Sequence, residues 1–291
     1  MKPNIIIAGY GVFGSQFLNW LRTKYPNKVN VIGIVEPNRH KRDLIKKMGI
    51  NAYESIYDAP NSVTSKTHVV ADCSPRGIGL QNKNAYSHLG LKAIFQNGEE
   101  NQTIGELYYP GLNTGTKPPN YLKIPLCSGI AAIKVTKAIQ KIAQVRYITG
   151  YHSKVTNTAR MLTMNYRDSN YQIQTLLGIE CRMNVIYIRG EPYNGIFAYH
   201  GCLDLELDRT VKKDDVIATL SNKNEFLKVE SQEIDNLTYP RTDLTVIIKE
   251  SIHIKNRILR LSTMSFTPDV NFPINLAAIH HISKGGDRNA N

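Results

Sequence analysis

"NIIIAGYGVFGSQFLNWLRTKY" (residues 4–25) decides the fold. Its first five residues run into Gly9 through a β-branched apolar stretch, which reads as a buried parallel strand. Residues 12–25 carry apolar side chains at helical spacing. Between the two lie Gly9, Gly11 and Gly14 in the pattern G-x-G-x-x-G, in the strand–turn–helix setting that gives the pattern its meaning. Gly9 permits a tight turn, Gly11 lets the main chain approach a pyrophosphate, and Gly14 lets the helix close on the strand, with Val12 and Phe13 in the turn between. The helix N-terminus adds N–H groups and a dipole that favour an anion.

Working outward, the alternation continues. Residues 29–37, 67–75 and 91–96 read as strands, and 39–49 and 79–90 as helices. That order predicts an α/β fold with a Rossmann-type doubly wound parallel sheet. Glu36 closes the second strand, where a carboxylate accepts hydrogen bonds from ribose hydroxyls and favours NAD. The basic group from Arg39 to Arg42 offers a site for a 2′-phosphate and leaves NADP open. The strand ends "DCSP" (72–75) and "FQNGEE" (95–100) face the same crevice. Ser74, Pro75, Gln96 and Gly98 are therefore candidate cofactor neighbours, with ordinary loop chemistry as the competing account. Residues 97–120 form a long polar connection of the kind that often serves function.

Beyond residue 145 the pattern changes to longer alternating strands, at "VRYITGYHSKV", "RMNVIYIRG", "GIFAYHGCLDLELD", "DLTVIIKESIHIKN" and "RILRLSTMSF". These predict a second α+β domain with a mostly antiparallel sheet and a helix over 212–222. The expected division is a dinucleotide-binding domain at 1–126 and a second domain at 127–272. A helix at 273–283 is expected to return to the first domain, before a disordered tail at 284–291.

The chain has 291 residues, a formal net charge of +12 and four cysteines. No apolar run matches a membrane span and no signal segment precedes the first strand, so a cytoplasmic, membrane-free protein is expected. A basic field attracts phosphates. The cations are dispersed, and no zinc-finger, RRM or KH signature calls for nucleic acid. The cysteines lack C-x-x-C spacing, and no metal site is expected.

"LKIPLCSGIAAIKV" (122–135) places Cys127 between a strand-like and a helix-like run. A thiol at a helix N-terminus is biased toward thiolate, and the N–H groups of Ser128 and Gly129 could receive an oxyanion. A thiolate nucleophile needs a histidine, and strand-borne His200 is the candidate. The competing account makes Cys127 a small buried hydrophobe.

The sequence resembles the archaeal-type, second class of phosphorylating glyceraldehyde-3-phosphate dehydrogenase. "AGYGVFG" (8–14), "DCSPRGIGLQN" (72–82) and "AIFQNGE" (93–99) are similar to that family's N-G-Y-G-T-I-G, D-A-T-P-x-G-I-G-x-x-N and A-I-F-Q-G-G-E. The resemblance places Cys127 on the nucleophile, His200 on the general base and Asn275 near the nicotinamide. Leu126, Ser128, Gly129 and His152 fall on the substrate side. It implies an aldehyde phosphate and inorganic phosphate as substrates, NAD or NADP as cofactor, and a homotetramer. The departures are also specific. Ser128, Gly129 and Ile130 replace the family's Asn-Thr-Thr, an Arg-Arg pair falls near Tyr151-His152, and His-His-Gly falls near Leu176-Leu177-Gly178. H-Q-E-S has no counterpart in "MSFTPD" (264–269). These departures keep open a related dehydrogenase for another aldehyde, or a non-catalytic NAD-binding paralogue.

Overall fold

The computed structural model describes residues 2–96, 101–112, 118–156, 163–165, 167–189, 197–221, 226–231 and 239–284. Gly98, parts of the 97–120 connection and the tail beyond residue 284 lie outside them. The chain divides into two compact units, one of residues 1–124 with 274–291, the other of residues 125–273.

The first unit contains β1 (Asn4–Ala8), α1 (Val12–Lys24), β2 (Asn30–Val35), α2 (Arg39–Lys47), β3 (Ala52–Tyr53), α3 (Asn61–Thr64), β4 (Val69–Asp72), α4 (Ile78–His88), β5 (Ala93–Phe95), α5 (Asn101–Ile104), β6 (Glu106–Leu107) and β7 (Tyr121–Lys123). Its strands form one parallel sheet in the order β3-β2-β1-β4-β5-β7-β6. Ile5, Ile6 and Ile7 have no exposed surface. That is the expected state of a parallel strand covered on both faces. The strand order reverses direction about β1, which opens a crevice at the C-terminal ends of β1 and β4.

The second unit contains α6 (Cys127–Ile139), β8 (Val145–Thr156), β9 (Thr163–Asn165), α7 (Arg167–Leu177), β10 (Glu180–Arg189), β11 (Phe197–Leu207), α8 (Lys213–Leu220), β12 (Leu227–Glu230), β13 (Thr245–Ile248), β14 (His253–Lys255) and β15 (Ile258–Thr267). Its sheet runs β12-β13-β15-β11-β8-β10-β9, with β14 on β15. The central pairs β11–β8 and β11–β15 are antiparallel, while β8–β10 and β12–β13 are parallel, so the sheet is mixed.

The last helix, α9 (Phe272–Lys284), runs into the first unit, where Lys92 Nζ donates to the Ile282 carbonyl at 3.1 Å and the rings of Tyr108 and His281 stand 5.0 Å apart. Among the described residues no helix is long and apolar enough to cross a membrane.

Candidate active site

The crevice of the first unit is built by its glycine turn. Gly9 holds φ +91°, a conformation costly for other residues, and its N–H donates to the Val35 carbonyl at 2.8 Å. A Cβ on Gly14 would strike the Gly9 carbonyl, so only glycine lets α1 start this close to β1. A cleft of about 830 Å³ opens above the turn. Gly9, Gly11, Val12 and Phe13 line one side, and Ser74 and Pro75 the other. The volume and the main-chain approach suit a dinucleotide.

Glu36 lines the cleft too, but its carboxylate is largely committed. Oε2 accepts the Tyr10 N–H at 2.8 Å and Oε1 the Asn38 N–H at 3.0 Å. Arg42 is also engaged, donating to the Glu36 and Pro37 carbonyls and to Glu54. Of the basic group, Lys41 lines the cleft.

The second strand end is held by Asp72. Its Oδ1 accepts the Ser74 N–H at 2.9 Å, and its Oδ2 accepts Asn82 Nδ2 at 2.9 Å and the Tyr86 hydroxyl at 2.8 Å. Burial raises the Asp72 pKa, and these hydrogen bonds oppose the rise. The Asp, Ser and Asn of "DCSPRGIGLQN" thus form a scaffold that fixes the loop against the glycine turn. Gln96, at the end of β5, is buried, and its side-chain amide has no hydrogen-bond partner among the described residues. Asn275 lies fully buried in α9.

In the second unit, Cys127 is the first residue of α6 and is half-buried. The turn that carries it is pinned from three sides. Asn271 Nδ2 donates to the Pro125 carbonyl at 3.0 Å, the Leu126 N–H donates to Gln172 Oε1 at 2.8 Å, and the hydroxyls of Ser128 and Ser169 meet at 2.8 Å. The Gly129 N–H is already used, donating to the Leu126 carbonyl at 2.9 Å, which corrects its expected place in an oxyanion pocket. Burial pushes the thiols of Cys73 and Cys202 up, and that of Cys181 up to about 11.

The strand pairing separates the two candidate histidines. His152 pairs with Gly201, while His200 pairs with Ser153, one step along the same ladder. Neighbouring residues on a strand point to opposite faces. His152 therefore shares the buried face with Leu203 and Leu205, and His200 shares the other with Asp204, Glu206 and Met264. The main chain of Ser128 lies beside the His152 ring. Thus the structure brings His152, rather than His200, to the first turn of α6. The signal was present in "HGCLDLEL": extending the leucine alternation backward leaves His200 on the acidic face.

Burial lowers the His152 pKa to about 4, opposed by the Ser128 main chain, and lowers that of His200 as well. Two further residues around this turn, Ser169 and Gln172, lie on α7, an element with a muted sequence pattern. Among the described residues no three His, Cys, Asp or Glu side chains gather as metal ligands.

A dinucleotide-type cleft in one unit and a half-buried cysteine opening a helix in the other define a two-unit protein with a Rossmann-type first unit. Comparison with known proteins narrows the class. The chain is 20% identical to the glyceraldehyde-3-phosphate dehydrogenase of Metallosphaera sedula, over 97% of this chain and 93% of that protein. It is 22% identical to the Pyrococcus abyssi protein of the same name, over 99% and 96%. The Methanobrevibacter smithii protein is 23% identical over half of this chain. No family model matches. The chain is a divergent relative of these archaeal-type proteins.

Proposed function

We propose that this protein is an NAD(P)-dependent phosphorylating aldehyde dehydrogenase of the glyceraldehyde-3-phosphate type. The observation that carries the reading is Cys127, half-buried at the first position of α6 on a turn held by Asn271, Gln172 and Ser169. The near-full-length similarity to archaeal glyceraldehyde-3-phosphate dehydrogenases supports it.

In this reading the Cys127 sulfur adds to the aldehyde carbon, giving a hemithioacetal. A histidine takes the hydroxyl proton as the thioester forms. Inorganic phosphate then attacks the thioester carbon, the C–S bond breaks and the thiolate leaves with an acyl phosphate released. A thioester is activated enough for that last step, and so the position calls for a thiol. A nicotinamide held in the first-unit cleft would supply the hydride acceptor. Gly9, Gly11 and the N-terminus of α1 would hold its pyrophosphate, Ser74 and Pro75 would border it, and Glu36 would meet the adenosine ribose. NAD is the proposed cofactor, with Lys41, which lines the same cleft as Glu36, offering a counter-charge to the phosphate of NADP. Asn275 is proposed near the nicotinamide. The resemblance implies a homotetramer, and a cytoplasmic location is proposed with it.

The test is reduction of NAD or NADP by the purified protein with glyceraldehyde 3-phosphate and phosphate. Absence of both turnover and a single-turnover burst would sink the reading. A second reading is favoured by the substrate side: Ser128, Gly129 and Ile130 replace the family's polar run, and Tyr151-His152 its arginine pair. It takes a related aldehyde lacking the phosphate group. A panel of phosphorylated and non-phosphorylated aldehydes, ranked by kcat/KM, separates the two.

A further inference from the structure

The face of β8, β11 and β15 beside the first turn of α6 carries an unusual notch. A Cβ on Gly201 would meet His152 Nε2 at 2.5 Å and Thr263 Oγ1 at 2.8 Å. The imidazole thus occupies the space that any other residue at position 201 would fill, reaching across from the neighbouring strand. His152 is 2% exposed, and neither ring nitrogen meets a partner at full hydrogen-bonding geometry among the described residues, the Ser128 main chain being the polar group beside the ring; the Thr263 hydroxyl is likewise buried and unpartnered. The edge of Tyr199 closes another side, its ring centroid 6.2 Å from that of His152. Buried polar groups without partners are rare and cost free energy, so a cluster of them beside the first turn of α6 marks a place where another polar group arrives. His200 stands on the opposite face with Ala198 and Met264.

The geometry points to His152, admitted by the absent side chain at Gly201, as the general base for Cys127, with Thr263 beside it as a hydroxyl partner for the substrate oxygen. The inference rests on the proposed role of Cys127 and deepens it. In its first step the Cys127 S–H proton passes to a neutral His152 ring nitrogen as the sulfur–carbon bond forms. The carbonyl π electrons move to the oxygen, which takes a proton back from the imidazolium. Sulfur is neither oxidised nor reduced in this step.

The test is the rate of Cys127 alkylation by iodoacetamide at pH 7 without cofactor, read peptide by peptide by mass spectrometry. His152→Ala is expected to slow it at least tenfold, added imidazole to restore part of the rate, and His200→Asn to leave it within twofold of the parent. Gly201→Ala, which keeps the histidine but fills its space, is expected to slow it as His152→Ala does.

In the unmutated protein, alkylation of Cys127 is expected to shift the His152 ring nitrogen resonances and leave those of His200 in place. This readout stands even where the variants fold poorly. If His200→Asn slows alkylation and His152→Ala does not, or if only the His200 resonances move, the inference is overturned. The proposed function survives that result as long as Cys127→Ala abolishes turnover. If Cys127→Ala retains turnover, the proposed function itself falls.

Discussion

Asp72 in the first unit and His152 in the second are both almost fully buried, yet they are treated in opposite ways. Asp72 accepts hydrogen bonds from Ser74, Asn82 and Tyr86. His152 and the adjacent Thr263 meet no side chain or main-chain group at full hydrogen-bonding geometry among the described residues, with only the Ser128 main chain beside the His152 ring. A satisfied buried group is scaffold, because its interactions are complete before anything binds. An unsatisfied one stores a cost that a ligand can relieve. The contrast locates rigidity at the loop after β4 and receptiveness beside the first turn of α6.

The contrast is best broken at its reactive centre. Cys127→Ala should lower turnover by at least about 10³-fold while leaving dinucleotide affinity, measured by calorimetry, unchanged. A fall in both together would mean that the cysteine packs rather than reacts. At the rigid end, Gly14→Ala should destabilise the protein by roughly 2–4 kcal/mol in denaturant titration, because the added methyl meets the Gly9 carbonyl.

Acid probes the receptive end. The folded His152 pKa of about 4 lies below its ordinary value of 6.5. The unfolded chain therefore binds the extra proton first as pH falls. The contribution of neutral His152 is complete above pH 6.5 and is lost progressively toward pH 4, on the order of 3 kcal/mol. Denaturant midpoints at pH 7 and 5 should show the loss, and His152→Gln should flatten it.

The two smallest changes oppose each other in sign. Tyr86→Phe removes a donor from buried Asp72 and should cost about 1–2 kcal/mol. Thr263→Val removes an unpartnered hydroxyl at similar volume and should cost about zero or stabilise slightly. Equal losses in thermal unfolding would erase the distinction between the Asp72 scaffold and the His152–Thr263 notch.

How much of this was legible depends on range. The strand–glycine–helix stretch at 4–25 could be read because its signals are local: β-branched residues, a turn that demands glycine, then helical spacing. Helix α7, "RDSNYQIQTLL", has no comparable local signal. Its buried positions are Ser169, Gln172 and Ile173, so the stripe that identifies a helix is mostly polar. It is held by what it touches, which sequence periodicity does not record. The parity of β11 was written in Leu203, Leu205 and Leu207. The role of Gly201 was not, because a missing side chain matters only against the neighbouring strand that fills its place. The second sheet is mostly antiparallel, as its alternation predicts; the two parallel pairings, β8–β10 and β12–β13, carry no such signal, since strand direction there depends on where a connection returns rather than on alternation.

The fit between positions 201 and 152 also constrains the order in which such a site can change. A ring at 152 and a side chain at 201 exclude each other, so the smaller residue has to be in place before the larger one is tolerated. Reversal runs the other way: the imidazole must go before position 201 can regain a side chain. The pair behaves as a ratchet with one permitted sequence of steps, and substitutions at the two positions should be strongly non-additive in a double-mutant cycle.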